Sequence, residues 1–238
     1  MSCAIVDGRI SVECERALVL RGFSVIKTQK NKYVGDAVSY HPDIVAFFDE
    51  NTVITSVYYA EDAEALFSDI RYCSPTVKIR FVDEMQNEKY PRDAIFNALV
   101  MGKRIFCKTD TVSPAVLEYA RDCGLEVVHV NQGYPACTTL ALSDEAAITA
   151  DRGMADIMIR CGIRVTLIEN GDILLPPHEY GFIGGTAGVY NGAVYFLGDV
   201  TTHRSYKKII EAVEAEGLGA VSLSGDMLSD LGRIIFLP

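Results

Sequence analysis

A tyrosine opens a short recurring motif at four places in this chain, Tyr40, Tyr90, Tyr134 and Tyr180, at spacings of 50, 44 and 46 residues. A period of this size marks a repeat architecture and constrains the fold more than any local motif does. Three openings are close variants: Tyr40-His41-Pro42-Asp43-Ile44, Tyr90-Pro91-Arg92-Asp93-Ala94 and Tyr134-Pro135-Ala136-Cys137-Thr138. An apolar strand, a polar turn and a second strand follow. Ile44 to Phe48, Asp49-Glu50-Asn51 and Val53 to Val57 form one case, and Thr138 to Leu142, Ser143-Asp144-Glu145 and Ala146 to Thr149 another. Asn191-Gly192 is a strong hairpin signal in a further unit. A helix comes next. Ser113-Pro114 reads as an N-cap with proline at the first helical position. Val116, Leu117, Ala120 and Cys123 share one helical face, as do Ala63, Leu66, Phe67 and Ile70, and Tyr206, Ile209, Ile210 and Val213. Gly22, Gly124, Gly162 and Gly217 each close a helix, where glycine accepts a left-handed backbone without steric cost. A short β-branched strand follows each of them.

The unit is therefore strand–strand–helix–strand, about 45 residues long. Complete copies begin near His41, Tyr90, Tyr134 and Tyr180. The N-terminus has a strand (Ala4 to Ile10), a helix (Ser11 to Arg21) and a strand (Phe23 to Thr28), and lacks a first strand. The C-terminal segment, Met227 to Pro238, has one to spare. The expectation is a single domain over 1–238 with five repeats, 1–39 plus 225–238, 40–89, 90–133, 134–179 and 180–224, closed by pairing of the C-terminal and N-terminal strands. A doubly wound α/β sheet also alternates strands and helices, but it uses one strand per helix and not a hairpin.

Composition narrows the partners. The 238 residues carry 22 Lys+Arg against 32 Asp+Glu, a net charge of −10, with 49% hydrophobic residues. That is a globular composition. An acidic surface argues against nucleic acid and anionic membranes, and the apolar runs are too short for a membrane span. Met1 to Asp7 has neither a basic region nor a long apolar core, so no secretory signal is expected. The seven cysteines include no C-x-x-C pair, so neither a disulfide framework nor structural zinc is expected. A cytoplasmic protein without metal or cofactor is the expectation. The sequence does not specify an oligomeric state.

Five ββαβ units with a terminal strand swap resemble the pentein superfamily, the α/β propeller of guanidino-group modifying enzymes. The repeat pattern also resembles the ribosome anti-association factor, initiation factor six, which has the same fold. More narrowly, Tyr134 to Cys137 (Tyr-Pro-Ala-Cys) and Gly181 to Gly185 (Gly-Phe-Ile-Gly-Gly) resemble stretches of an uncharacterised bacterial branch. The resemblance implies a five-bladed pseudo-symmetric propeller whose first strands line a central channel.

Superposing the turn Asp49-Glu50-Asn51 on Ser143-Asp144-Glu145 then sets Asp43 opposite Cys137. The same exercise brings Gly184, Gly185 and Ser224 to the channel mouth, with Asn97 the nearest polar residue of the Tyr90 unit. His41 lies two residues from Asp43, which on a regular strand is the same face. The family's enzymes use a Cys thiolate on the guanidinium carbon, a His that moves the proton, and carboxylates that hold the cation. By resemblance Cys137, His41 and Asp43 take the catalytic places, and Asn97, Gly184, Gly185, Ser224 and Asp226 the substrate-binding ones. Asp226 or Asp230 could add a carboxylate through ring closure. The family's Cys lies near its C-terminus, whereas here a full repeat follows Cys137. The reading implied is a small-molecule hydrolase or amidinotransferase-like enzyme for a guanidino or other cationic ligand in the channel. The other is a non-catalytic binding or interaction protein, in which Cys137 is a small buried hydrophobe. His129, His178 and His203 read as structural or solvated, His203 in a surface capping region. Cys123 and Cys161 read as equivalent buried core positions.

Overall fold

Five three-stranded sheets of one pattern recur among residues 2–237, which the computed structural model describes; Met1 and Pro238, the ends of the expected domain, lie outside the described residues. In each, a first strand runs antiparallel to a second, and the second runs parallel to a third. Ala46–Asp49, Thr52–Ser56 and Lys78–Val82 form one such sheet. Leu99–Met101, Arg104–Cys107 and Glu126–His129 form the next. Thr139–Ser143, Ala146–Thr149 and Arg164–Leu167 follow, then Ala187–Tyr190, Ala193–Phe196 and Gly219–Ser222. The remaining sheet takes its first strand from the far end of the chain. Ile235–Leu237 runs antiparallel to Cys3–Val6, with Cys3 opposite Leu237 and Ile5 opposite Ile235, and Cys3–Val6 runs parallel to Ser24–Lys27. The fold is thus mixed α/β, and the strand missing at the N-terminus is supplied by the C-terminal segment. A two-stranded sheet, Ile173–Leu174 with Leu228–Ser229, was not anticipated.

Helices join second strands to third ones, as the punctuation predicts. Ser11, Ser113 and Asp151 cap Val12–Leu20, Pro114–Asp122 and Arg152–Arg160, each side chain accepting a first-turn N–H at 2.9–3.1 Å. Gly22, Gly124, Gly162 and Gly217 all have positive φ, between 66° and 89°. The Ser113 hydroxyl accepts from Ala115 N–H and donates to Glu84 Oε1 at 2.6 Å, fully buried. Ser113→Ala is expected to cost about 1–2 kcal/mol of stability, read as a lowered urea midpoint at unchanged slope.

Alternation along the strands distributes the core. Cys3 and Ile5 pack with Val53, Leu66 and Phe67 of the second unit, while Ala4 and Val6 pack with Leu197 and Leu223 of the fifth. Phe47 and Ile54 join the second unit to Ile105 and Val116 of the third. Leu99 and Phe106 meet Ala147 and Met158, and Leu140 and Ile148 meet Val194 and Phe196. Successive side chains on a strand point to opposite faces, so each sheet contributes to two cores.

Three expectations are corrected. The strands expected from Ile44 and Thr138 start later, at Ala46 and Thr139, because Pro42–Val45 and Pro135–Thr138 form single helical turns. Cys123 and Cys161 occupy equivalent C-cap positions, but Cys123 is exposed and Cys161 half-buried. The packed faces end at Ala120 and Met158, and the cap residues sit where the chain turns away through Gly124 and Gly162. His203 is buried, at 1% exposure, and its Nδ1 accepts the N–H of Ser205.

Candidate functional site

The segment just before each first strand turns inward, and these five turns meet. Pro42 and Pro135 each open one of the two helical turns, where proline fixes the backbone and removes an N–H that a first-turn position cannot use. That geometry carries Asp43 and Cys137 inward, where the Cys137 thiol donates to Asp43 Oδ2 at 2.9 Å. Asn97, in the turn before Leu99–Met101, links both segments. Its amide donates to Cys137 Sγ at 3.2 Å and to the Asp43 carbonyl at 3.1 Å, and its Oδ1 accepts the Ala136 N–H at 2.8 Å.

The other two turns are glycine-rich because they approach so closely. A Cβ on Gly184 would lie 2.4–2.6 Å from the carbonyl oxygens of Ala136, Thr139 and Cys137. One on Gly185 would meet Asp230 Oδ1, and one on Gly232 would meet His41 Cβ. The contacts run in a cycle: Asp43 to Asn97, Asn97 to Ala136 and Cys137, that turn to Gly184, Gly185 to Asp230, and Gly232 back to Asp43, whose N–H donates to the Gly232 carbonyl.

His41 completes the floor. His41, Asp43 and Cys137 are buried, and their ligand-type atoms all lie within 4.8 Å of one another. Neither ring nitrogen of His41 has a hydrogen-bond partner, nor has Asp43 Oδ1. Asp7 Oδ2 and Asp230 Oδ1 lie 3.8 and 3.9 Å from the ring nitrogens, beyond hydrogen-bond reach. Buried polar atoms of this kind are costly and point to a function or a ligand. The donor set of imidazole, carboxylate and thiol is also one that a thiophilic divalent ion could draw together.

Burial dominates the electrostatics. It pushes the Cys137 thiol well above its ordinary value, and the neighbouring carboxyls of Asp43 and Asp230 push the same way. It raises Asp43, opposed by the hydrogen bond from Cys137. It raises Asp230 to about 7, against the backbone N–H groups of Phe182 and Gly232 that its oxygens accept at 2.8 and 3.2 Å. It lowers His41 to about 3, with Arg9 adding to the effect. The resting site therefore holds a neutral imidazole and a protonated thiol. It does not hold the imidazolium–thiolate pair that a free nucleophile would need.

A cavity of about 410 Å³ opens onto this floor. His41, Cys137 and Asp230 line its base, Val38, Tyr134, Leu175 and Phe182 its walls, and His178, Glu179 and Tyr180 its remaining rim. Tyr134 is fixed by donating to Asp93 Oδ2 at 2.5 Å. Asn97 lies behind Cys137, and Gly184 and Gly185 support the floor without lining it. Ser224 and Asp226 lie outside the lining, with Asp226 exposed and its N–H donated weakly to the Ser224 hydroxyl at 3.4 Å. The inward carboxyl of this segment is Asp230. Sequence reasoning did not select Tyr134, Phe182, His178 or Glu179. The tyrosine of the repeat opening was the one available signal, for Tyr134.

The model of a family of unknown function (DUF6873) matches residues 5–235. Among curated proteins none matches. Among solved structures, the chain is similar to the agmatine deiminase of C. jejuni, at 8% identity and a TM-score of 0.55, covering 92% of this chain and 75% of that one. It is similar to an amidinotransferase of the saxitoxin biosynthetic pathway of Microseira wollei, at 10% identity and 0.56, over 93% and 88%. It is also similar to the DDAH of Pseudomonas aeruginosa, at 10% and 0.53, over 94% and 91%. These are pentein-superfamily proteins, and the likeness shows that the chain has their fold.

Proposed function

The chain belongs to the family of unknown function (DUF6873), and from that premise we propose a Cys-dependent hydrolase or amidinotransferase acting on a guanidino or other cationic compound. One observation carries the reading: a thiol, an unpartnered imidazole and the buried carboxyl of Asp230 converge on the floor of one cavity, with Asp43 outside the lining and hydrogen-bonded to the thiol. Pentein-fold deiminases and amidinotransferases among the similar structures support it as analogy. The five sheets read as blades of a five-bladed ββαβ propeller, one domain over 1–238 with the ring closed by Ile235–Leu237. The cyclic order of the cores and turns supports this. No helix among the described residues is long and apolar enough to cross a membrane.

In this reading the ligand supplies the missing cation. A guanidinium presents a planar fork of donors to Asp230, with the Asp43 carboxyl beyond the thiol adding negative charge. Its charge offsets the burial and the carboxyls that together hold the thiol protonated, so Cys137 ionises only when substrate is bound. His41 takes the thiol proton, and the sulfur attacks the guanidinium carbon. The C–S bond forms and a C–N bond breaks, as His41 returns the proton to the departing nitrogen. Water, losing a proton to His41, then attacks the same carbon. The C–S bond breaks, and the thiol and a urea-type product are released. An amine in the place of water gives amidino transfer.

Acid-quenched mass spectrometry of protein incubated with alkylguanidines should show an amidino adduct on Cys137, accompanied by release of ammonia or urea. Saturable binding with neither adduct nor product would favour the non-catalytic reading, which the protonated resting thiol supports. Loss of turnover on chelation would turn the assignment toward a metal site. The cation is expected to bind the ionised form of Asp230, so protons compete with it. Affinity should fall by up to roughly tenfold per pH unit below about 7 and level off above. Calorimetry across that range checks this, and a flat profile would remove Asp230 from the cation site.

A further inference from the structure

The five first strands also line a second cavity, of about 200 Å³, which shares no lining residue with the Cys137 cavity. Phe48, Val100, Ala141, Val189 and Ile235 reach it, one from each first strand. Its charged residues are Arg233, Asp49 and Glu50. The Arg233 guanidinium enters no hydrogen bond or ion pair among the described residues, although the residue is half-buried. Its backbone makes the choice of residue more telling. Arg233 has a φ of 75°, directly after Gly232 at 68°. That left-handed conformation costs energy for a residue with a Cβ and none for glycine. Non-glycine residues held in it cluster at ligand clamps and active sites. The main chain is fixed independently of the side chain, since the Arg233 N–H donates to the Gly185 carbonyl at 3.0 Å. Asp49 Oδ2 accepts the Tyr119 hydroxyl at 2.7 Å, and Glu50 is exposed and in no ion pair among the described residues.

We infer that this cavity is a second binding site, for a compact zwitterion whose carboxylate meets the Arg233 guanidinium and whose ammonium faces Asp49 and Glu50. The charges select this class. A simple anion would meet the guanidinium but also two carboxyls, and a simple cation would face Arg233. A molecule with both groups offsets all three. The guanidinium is a planar fork that takes a carboxylate through two parallel hydrogen bonds. Each first strand is the outer member of its sheet, so one of its edges has backbone N–H and C=O groups outside the sheet ladder to serve a polar ligand. The volume lies below the roughly 300–1,000 Å³ of drug-sized sites, so the ligand is small. None of this depends on the chemistry at Cys137.

Calorimetric titration with L-alanine, propionate and ethylamine tests this. L-Alanine should bind saturably, and the two single-charge probes at least about tenfold more weakly. Arg233→Gly should weaken L-alanine by about tenfold or more. Its urea midpoint should stay the same or rise, because glycine takes the left-handed backbone freely. Glu50→Gln, in an exposed turn, should weaken L-alanine by about two- to fivefold and leave propionate no weaker. Butylguanidine in excess should not displace L-alanine, which separates the two cavities. The inference is overturned if L-alanine does not bind, if propionate binds as well, if butylguanidine displaces it, or if Arg233→Gly binds it unchanged. A lowered midpoint or failed folding of Arg233→Gly would make the guanidinium a structural tie and overturn it too. None of these results bears on guanidine turnover at Cys137, which stands or falls on its own adduct.

Discussion

Cys137→Ser is expected to reduce guanidino turnover by about a thousandfold or more, with cation binding retained. A serine hydroxyl is far less acidic than a thiol, and the site works against ionisation of either. Burial imposes the larger penalty, and Asp43 and Asp230 add to it with negative charge beside the nucleophile. A bound guanidinium can offset this for a thiol, whose ordinary value lies near 8.5, but not for an alcohol. Serine keeps the hydrogen bond to Asp43 Oδ2 and can still accept from Asn97, so the turn Pro135–Thr138 should hold its shape. Stability should change by about 1 kcal/mol or less. Product release under saturating guanidine, with a parallel urea titration, separates chemistry from folding. Turnover that survives the substitution would remove Cys137 from the mechanism.

Some of this site was legible in the sequence because its cause is local or periodic. Helix caps, closing glycines and hairpin turns follow from backbone sterics within a few residues, and they appear where Ser113, Gly124 and Asn191-Gly192 predict. The repeat period then set Asp43 against Cys137, ninety-four residues apart in the chain and 2.9 Å apart in space. The local conformation of that pair was misread. A four-residue turn is too short to display helical periodicity, and the apolar run after it extends seamlessly into a strand. Asp230 was harder to select than Asp43, because the C-terminal segment has no hairpin of its own to fix its register, and Asp226 matched about as well. The cavity walls at Tyr134, Phe182 and Glu179 come from loops, where no pattern connects residue type to position. The protonation states depend on burial and on charges from distant parts of the chain, Arg9, Arg233 and Asp7 among them. The neutral state of His41 follows from its burial, which nothing in His41-Pro42-Asp43 displays.

Gly184→Ala is expected to be the most damaging single-methyl change, costing about 3 kcal/mol or more. The reason is the identity of the atoms in the way. The added Cβ would lie 2.4 Å from the Ala136 carbonyl oxygen, 2.5 Å from that of Thr139 and 2.6 Å from that of Cys137. A crowded side chain can rotate away, but two backbone oxygens of the helical turn and one of the strand that follows it can move only if that stretch of chain moves. That turn also holds the site together, since Asn97 accepts the Ala136 N–H and donates to Cys137 Sγ. Displacing it should loosen the hydrogen bonds around the thiol together with the packing. Gly225→Ala is the control: nothing lies within 4 Å of a Cβ at that position, and the change should be near neutral. Urea midpoints of the two variants test the stability difference. The alkylation rate of Cys137 in the folded protein provides a local readout, expected to be slow in the wild type and faster in Gly184→Ala. If Gly184→Ala is as stable as Gly225→Ala, the five turns do not pack as closely as this account of the floor requires.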